Sequence, residues 1–145
     1  VDRRVHPSGT YVCMEGPQFS TRAESMLHRS WGADLIGMTV MPEAKLAREA
    51  EIAYACVALP TDYDCWKPVP EGESQEQLLA TIIGNLKTAT AAAIDLIKVA
   101  AGRIGELPET CEAHDALKLA IWSDKSRVDR AEVEKLAPIV GRYFE

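Results

Sequence analysis

No basic surplus, no Cys-x-x-Cys pair and no long uninterrupted apolar run occur in this chain of 145 residues. Sixteen Lys and Arg stand against 22 Asp and Glu, a formal net charge of −6. That balance disfavours nucleic-acid or anionic-membrane binding through a broad basic surface, and leaves room for a local anion site. The longest apolar stretches are broken by Lys, Asp and Thr, so no transmembrane helix is expected. No signal peptide is visible at Val1. The histidines His6, His28 and His114 are scattered, which argues against a zinc site. The cysteines Cys13, Cys56, Cys65 and Cys111 are expected as buried, reduced thiols of a cytoplasmic protein.

What is present points to an α/β chain. Hydrophobic residues make up 47%, enough for a sizeable core, and the length suits one domain or part of a larger one. Val1–Ser8 is polar and basic with no clear structure. Thr10–Met14 alternates and favours a strand. Glu15-Gly16-Pro17 breaks it. Ser20 or Thr21 opens a helix, with Thr21 and Glu24 spaced as a capping box, and Gly32 ends it. Asp34–Met38 predicts a second strand, Pro42 a helix start through Glu51, and Ile52–Leu59 a third strand. After a proline-bearing loop, a long helix is predicted from about Ser74 to Ala101. Leu79, Ile82, Ile83, Leu86, Thr90, Ala93, Ile94 and Ile97 form its apolar stripe. Helices around Cys111–Trp122 and Arg130–Tyr143 follow, the second interrupted by Pro138. The order predicts a mainly parallel or mixed sheet flanked by helices.

The predicted third strand ends in Thr61-Asp62-Tyr63-Asp64-Cys65-Trp66, two carboxylates beside two aromatics. Ligands of open α/β sheets bind at the carboxyl ends of strands. Two acids there can accept from an amino group and share a proton with a ring nitrogen, which suits a 6-aminopurine. A cap or a solvated turn is the competing structural reading. The other two strand ends deliver Glu15 through Ser20, and Met38-Thr39. Phe19 can stack on a heterocycle or fill a core. Met38 can wall a sugar or pack internally. Thr39 can donate to a phosphate near the following helix or cap that helix. Glu15 is a candidate acid or a local backbone acceptor. Arg22 and Glu24 read as local ion pairs or caps.

The blocks Glu15-Gly16-Pro17-Gln18-Phe19-Ser20-Thr21-Arg22-Ala23-Glu24-Ser25, Trp31-Gly32-Ala33-Asp34 and Gly37-Met38-Thr39-Val40-Met41-Pro42-Glu43 resemble the trimeric nucleoside phosphorylases. Thr61 through Trp66 narrows the resemblance to the 5'-methylthioadenosine phosphorylase branch. It runs from about Gly9 to Ile97, with four blocks in order, and beyond Gly102 consists only of helical character. The resemblance implies that Phe19 stacks on the purine, Ser20 stands near the base, Met38 faces the ribose and Thr39 contacts phosphate. It implies Asp62 facing purine N7 and Asp64 near the 6-amino group, these two being the catalytic candidates. The resemblance further implies that Leu78 and Leu79 line a 5'-alkylthio pocket with Gln75 at its rim, although an apolar residue is usual at that last position. No metal or organic cofactor is implied, phosphate being a co-substrate.

Chains of that family are about twice as long, in keeping with a domain of roughly 250 residues. Their first half carries a Gly-rich loop and an Arg-His pair that hold phosphate. The chain is therefore expected to be the C-terminal half of such a domain, its first half being a separate chain or missing, with a broader purine nucleoside phosphorylase or a non-catalytic purine-binding or assembly remnant as the alternatives. Its expected partners are a nucleoside, phosphate and the N-terminal half, in a homotrimer, with no nucleic acid and no membrane.

Overall fold

The computed structural model describes residues 5–145. Val1–Arg4, part of the predicted irregular amino-terminal stretch, lie outside the described residues. The chain divides into two units. The first holds the residues up to Thr39 together with Cys56–Leu107, and the second holds Val40–Ala55 and Pro108–Glu145.

In the first unit, β1 (Tyr11–Cys13) and β2 (Leu35–Gly37) form a parallel pair, with Tyr11 opposite Leu35 and Cys13 opposite Gly37. A parallel pair needs a crossover, and α1 (Arg22–Ser30) supplies it. The α1 start is fixed by the predicted capping box. Glu24 N–H donates to Thr21 Oγ1 at 3.3 Å, and Thr21 N–H donates to Glu24 Oε2 at 2.7 Å. Those bonds from Thr21 hold the Glu24 carboxyl below its ordinary range. Gly32, at φ 81°, ends the turn that follows α1. The long α3 (Gln75–Gly102) begins at a second capping box, where Ser74 and Gln77 exchange bonds of 2.8 and 3.3 Å. Much of its apolar stripe is uncovered, with Leu79, Leu86 and Ile97 all exposed.

In the second unit, α2 (Glu43–Glu49) follows Pro42. Later come α4 (Arg130–Lys135) and the four-residue α5 (Ala137–Val140), split as the sequence predicts by Pro138. Glu51, in the left-handed region at φ 56°, gathers this unit. Its side chain, 9% exposed, accepts from Leu117 N–H at 2.9 Å, from the Tyr143 hydroxyl at 2.5 Å and from Arg142 at 2.5 Å.

Three expectations are corrected. The third strand does not form: Ile52–Leu59 carries no ladder, and a strand is defined by its hydrogen-bonded neighbour. The helix predicted at Cys111–Trp122 is reduced to a 3-10 turn, Glu112–Asp115, followed by turns. Its N–H at Leu117 is taken by Glu51 and its carbonyl at His114 by Arg142, so the i to i−4 ladder loses both groups. The thiols are not buried as expected. Cys56, Cys65 and Cys111 are exposed and Cys13 is half-buried.

Candidate functional site

The exits of β1 and β2 meet first. The ladder continues one step beyond β1, with Met14 N–H donating to Gly37 C=O at 2.9 Å. Gly16 then turns at φ 69°, and a Cβ built on it would lie 2.8 Å from Met38 Sδ. Only glycine fits there, both for its backbone angle and because the thioether of Met38 covers it. The Ser20 hydroxyl is 3.6 Å from Met14 Sδ, which folds the Phe19–Ser20 segment back over β1. Phe19 itself is 85% exposed, so it is not the core residue of its structural reading.

The acid loop, residues 61–66, joins these exits although the strand before it is absent. Cys65 Sγ contacts Ser20 C=O at 3.2 Å. Arg22 donates to Trp66 C=O at 3.1 Å and Cys65 C=O at 3.4 Å. The Arg29 guanidinium sits 3.8 Å from the centre of the Trp66 ring, and Tyr63 meets that ring edge-on at 5.8 Å. Asn85 of α3 donates to Thr61 C=O at 2.7 Å. Arg22 is thus not confined to the local pairing expected of it: it reaches across more than 40 residues of sequence. Main-chain carbonyl acceptors have no residue signature, so the sequence does not reveal the partner of such a contact. The i, i+7 spacing of Arg22 and Arg29, which puts both on one face of α1, is the only sequence hint.

Within the loop, Asp62 accepts from Asp64 N–H at 2.9 Å and from the Thr61 hydroxyl at 2.8 Å. The turn reading of Asp62 therefore holds in part, and Asp64 takes the left-handed conformation at φ 56° that such a turn presents. Asp62 is exposed and Asp64 half-buried.

Thr39 does not cap α2. Pro42 occupies the N-cap with no side-chain bond, and the Thr39 hydroxyl is engaged by Tyr11 instead. Burial raises the Tyr11 phenol above its ordinary value, against the lowering effect of that hydrogen bond. Gln75, Leu78 and Leu79 lie in the first turns of α3, with Leu78 half-buried and the other two exposed. Their helix is tied to the acid loop by Asn85, about two turns further along. No direct bond joins these three residues to the strand exits among the described residues.

A separate open cavity of about 500 Å³ lies in the second unit, lined by Met41, Lys45, Arg48, Ile52, Tyr54 and others. It contains none of the predicted site residues. Among the described residues no helix is long and apolar enough to cross a membrane, and no three His, Cys, Asp or Glu side chains gather as metal ligands.

Residues 1–98 match the Phosphorylase superfamily. The chain is 49% identical over 143 residues to S-methyl-5'-thioadenosine phosphorylase of Thermosynechococcus vestitus, covering 99% of this chain and 48% of that protein. It is 49% identical over 138 residues to the protein of the same name from Koribacter versatilis, covering 94% and 45%. The chain spans about half the length of the curated relatives it matches. Among solved structures, a methylthioadenosine phosphorylase from an antarctic soil metagenomic library aligns with a TM-score of 0.64 at 44% identity, over 90% of this chain and 44% of that one. A variant of adenosine/methylthioadenosine phosphorylase from Schistosoma mansoni, in complex with methylthioadenosine, aligns with a TM-score of 0.66 at 32% identity, over 82% and 39%.

Proposed function

The chain belongs to the phosphorylase superfamily, and from that membership we propose that it forms the C-terminal half of a 5'-methylthioadenosine phosphorylase. The complete enzyme would cleave 5'-methylthioadenosine with phosphate, giving adenine and 5-methylthioribose 1-phosphate. It would be a cytoplasmic homotrimer of purine and methionine salvage, working without metal or organic cofactor. One observation carries the reading: the acid loop is bonded to the exit of β1 at Ser20 and Arg22, beside the exposed ring of Phe19. A flat base stacked on Phe19 would meet Asp62 and Asp64 along one edge.

The reaction asks for charge control at both ends of the glycosidic bond. As the bond breaks, negative charge gathers on the adenine. Asp62 shares a proton with N7 and so eases departure of the base, while Asp64 accepts from the 6-amino group. General-acid help of this kind is worth about 10²–10⁴ in rate. The sugar becomes cationic against the Met38 wall, and phosphate attacks the anomeric carbon. Thr39 gives that phosphate one hydroxyl. The remaining phosphate contacts fall to the N-terminal half.

A broader reading, in which adenosine is also a good substrate, draws support from the Schistosoma mansoni neighbour, which is named for both nucleosides. Gln75 at the predicted 5' rim favours it too. The ratio of kcat/KM for methylthioadenosine to that for adenosine decides between them. An apolar 5' pocket should prefer the thioether by roughly 10–200-fold, the worth of one buried methyl-sized group. Leu78→His should pull the ratio toward adenosine by giving its 5'-hydroxyl a partner. A ratio near unity that Leu78→His leaves unmoved selects the broader enzyme.

A further inference from the structure

We propose that α1 is the anchor of the base-binding loop, with Arg22 and Arg29 as positioning residues that hold Asp62 and Asp64 against the Phe19–Ser20 segment. The inference rests on the reading of the two aspartates as base contacts. Two arms of the candidate base site come from distant parts of the sequence. One is the segment ending at Ser20. The other is a loop that lacks a strand to support it. A loop with no ladder beneath it must be placed by its own contacts.

Apart from the bond of Asn85 to Thr61 C=O, those contacts converge on α1 and the Ser20 carbonyl just before it. The capping box of α1 locks Thr21 and Glu24, which fixes the backbone immediately after Ser20. From the first residue of that helix, Arg22 donates to two successive carbonyls, Cys65 and Trp66, at 3.4 and 3.1 Å. Both bonds leave one guanidinium nitrogen, Nη1, so a single cationic group at the start of α1 holds two successive carbonyls of the loop. Two turns on, Arg29 covers the Trp66 ring at 3.8 Å. The Cys65 thiol meets the Ser20 carbonyl at 3.2 Å between them. The same few residues therefore set the distance between Phe19 and the aspartates. None of them need touch substrate.

The test uses the full-length enzyme and measures KM for methylthioadenosine and for phosphate separately, with kcat and Tm. Arg22→Gln should lower kcat/KM for methylthioadenosine about 10–100-fold, the range for a lost charged hydrogen bond, and leave KM for phosphate unchanged. Arg22→Lys should recover part of the loss, and Arg29→Gln should act in the same direction more weakly. Arg22→Gln should cost less in an Asp62→Asn background than alone, because both act on one contact. If Arg22→Gln does not fold, Arg29→Gln carries the same comparison, since its contact is a single exposed stacking.

Equal losses for both substrates with a lowered Tm mean a merely structural role and overturn the inference. So does an Arg22→Gln enzyme with unchanged nucleoside kinetics beside an Asp62→Asn enzyme that has lost activity. An Asp62→Asn enzyme with unchanged adenine-side kinetics overturns the base-site reading, and the inference with it.

Discussion

Tyr11 and Gly37 fit as a pair. Tyr11 lies on β1 and Gly37 on the neighbouring β2. A Cβ built at Gly37 would lie 2.8 Å from Tyr11 Cζ and closer still to its hydroxyl oxygen. The ring can lie there only because residue 37 has no side chain, and that placement brings its hydroxyl to Thr39. If Thr39 contacts phosphate, Tyr11→Phe should raise KM for phosphate about 3–10-fold, the worth of one hydrogen bond, with KM for the nucleoside unmoved. Gly37→Ala should reproduce the effect by displacing the ring. The aspartates give the complementary result. Asp62→Asn should lower kcat/KM for 6-aminopurine nucleosides by roughly two to four powers of ten. Relative activity on inosine should rise, because an amide can donate to N7. Steady-state kinetics on the two nucleosides checks this, and unchanged adenine-side values would leave Asp62 with only its turn bonds to Thr61 and Asp64.

At the scale of elements, the second unit hangs on Glu51. Desolvation pushes its carboxyl upward, but bonds from Tyr143 and Leu117 N–H and the Arg142 charge outweigh it, and the net shift is downward. A carboxyl lowered in the folded state stabilises above its unfolded value of about 4.3, and that contribution disappears as pH falls through the folded value. Glu51→Gln should therefore lower Tm at neutral pH, and the gap from the parent should close as pH drops below about 4. Melting curves across that window test it, and a gap independent of pH would assign the loss to packing. The same residue shows where sequence stops being legible. Thr21 with Glu24, and Ser74 with Gln77, announce their helices because each cap bonds a backbone group three residues away. The failed helix at Cys111–Trp122 gave no such warning. Its backbone groups are claimed by Glu51 and Arg142, 66 and 28 residues distant in sequence. Ile52–Leu59 has the composition of a buried strand, yet composition cannot supply the neighbour that a strand must pair with. That Phe19, Ser20, Met38 and Thr39 follow strand ends was legible because β1 and β2 formed where predicted. The contacts of Arg22 that hold the acid loop were not.

Taken as a whole molecule, the chain leaves many large apolar side chains uncovered. Among the described residues no hydrophobic residue is buried, and Ser25 is the one residue buried outright. Trp122 is 88% and Leu119 85% exposed, and the stripe of α3 is largely uncovered. Uncovered apolar surface on this scale marks a surface made to be covered. Under the proposed function, the covering piece is the N-terminal half, which also brings most of the phosphate contacts. Two outcomes should then go together. The 145-residue chain alone should bind a hydrophobic dye such as ANS and release no adenine from methylthioadenosine and phosphate. Adding the N-terminal half of the Thermosynechococcus vestitus relative should quench the dye and start adenine release at the same stoichiometry. Dye quenching without adenine release would describe a purine-binding or assembly module whose phosphate site is not restored. Adenine release by the chain alone would mean that Thr39 and its neighbours hold phosphate unaided, and the division of the active site proposed here would fall.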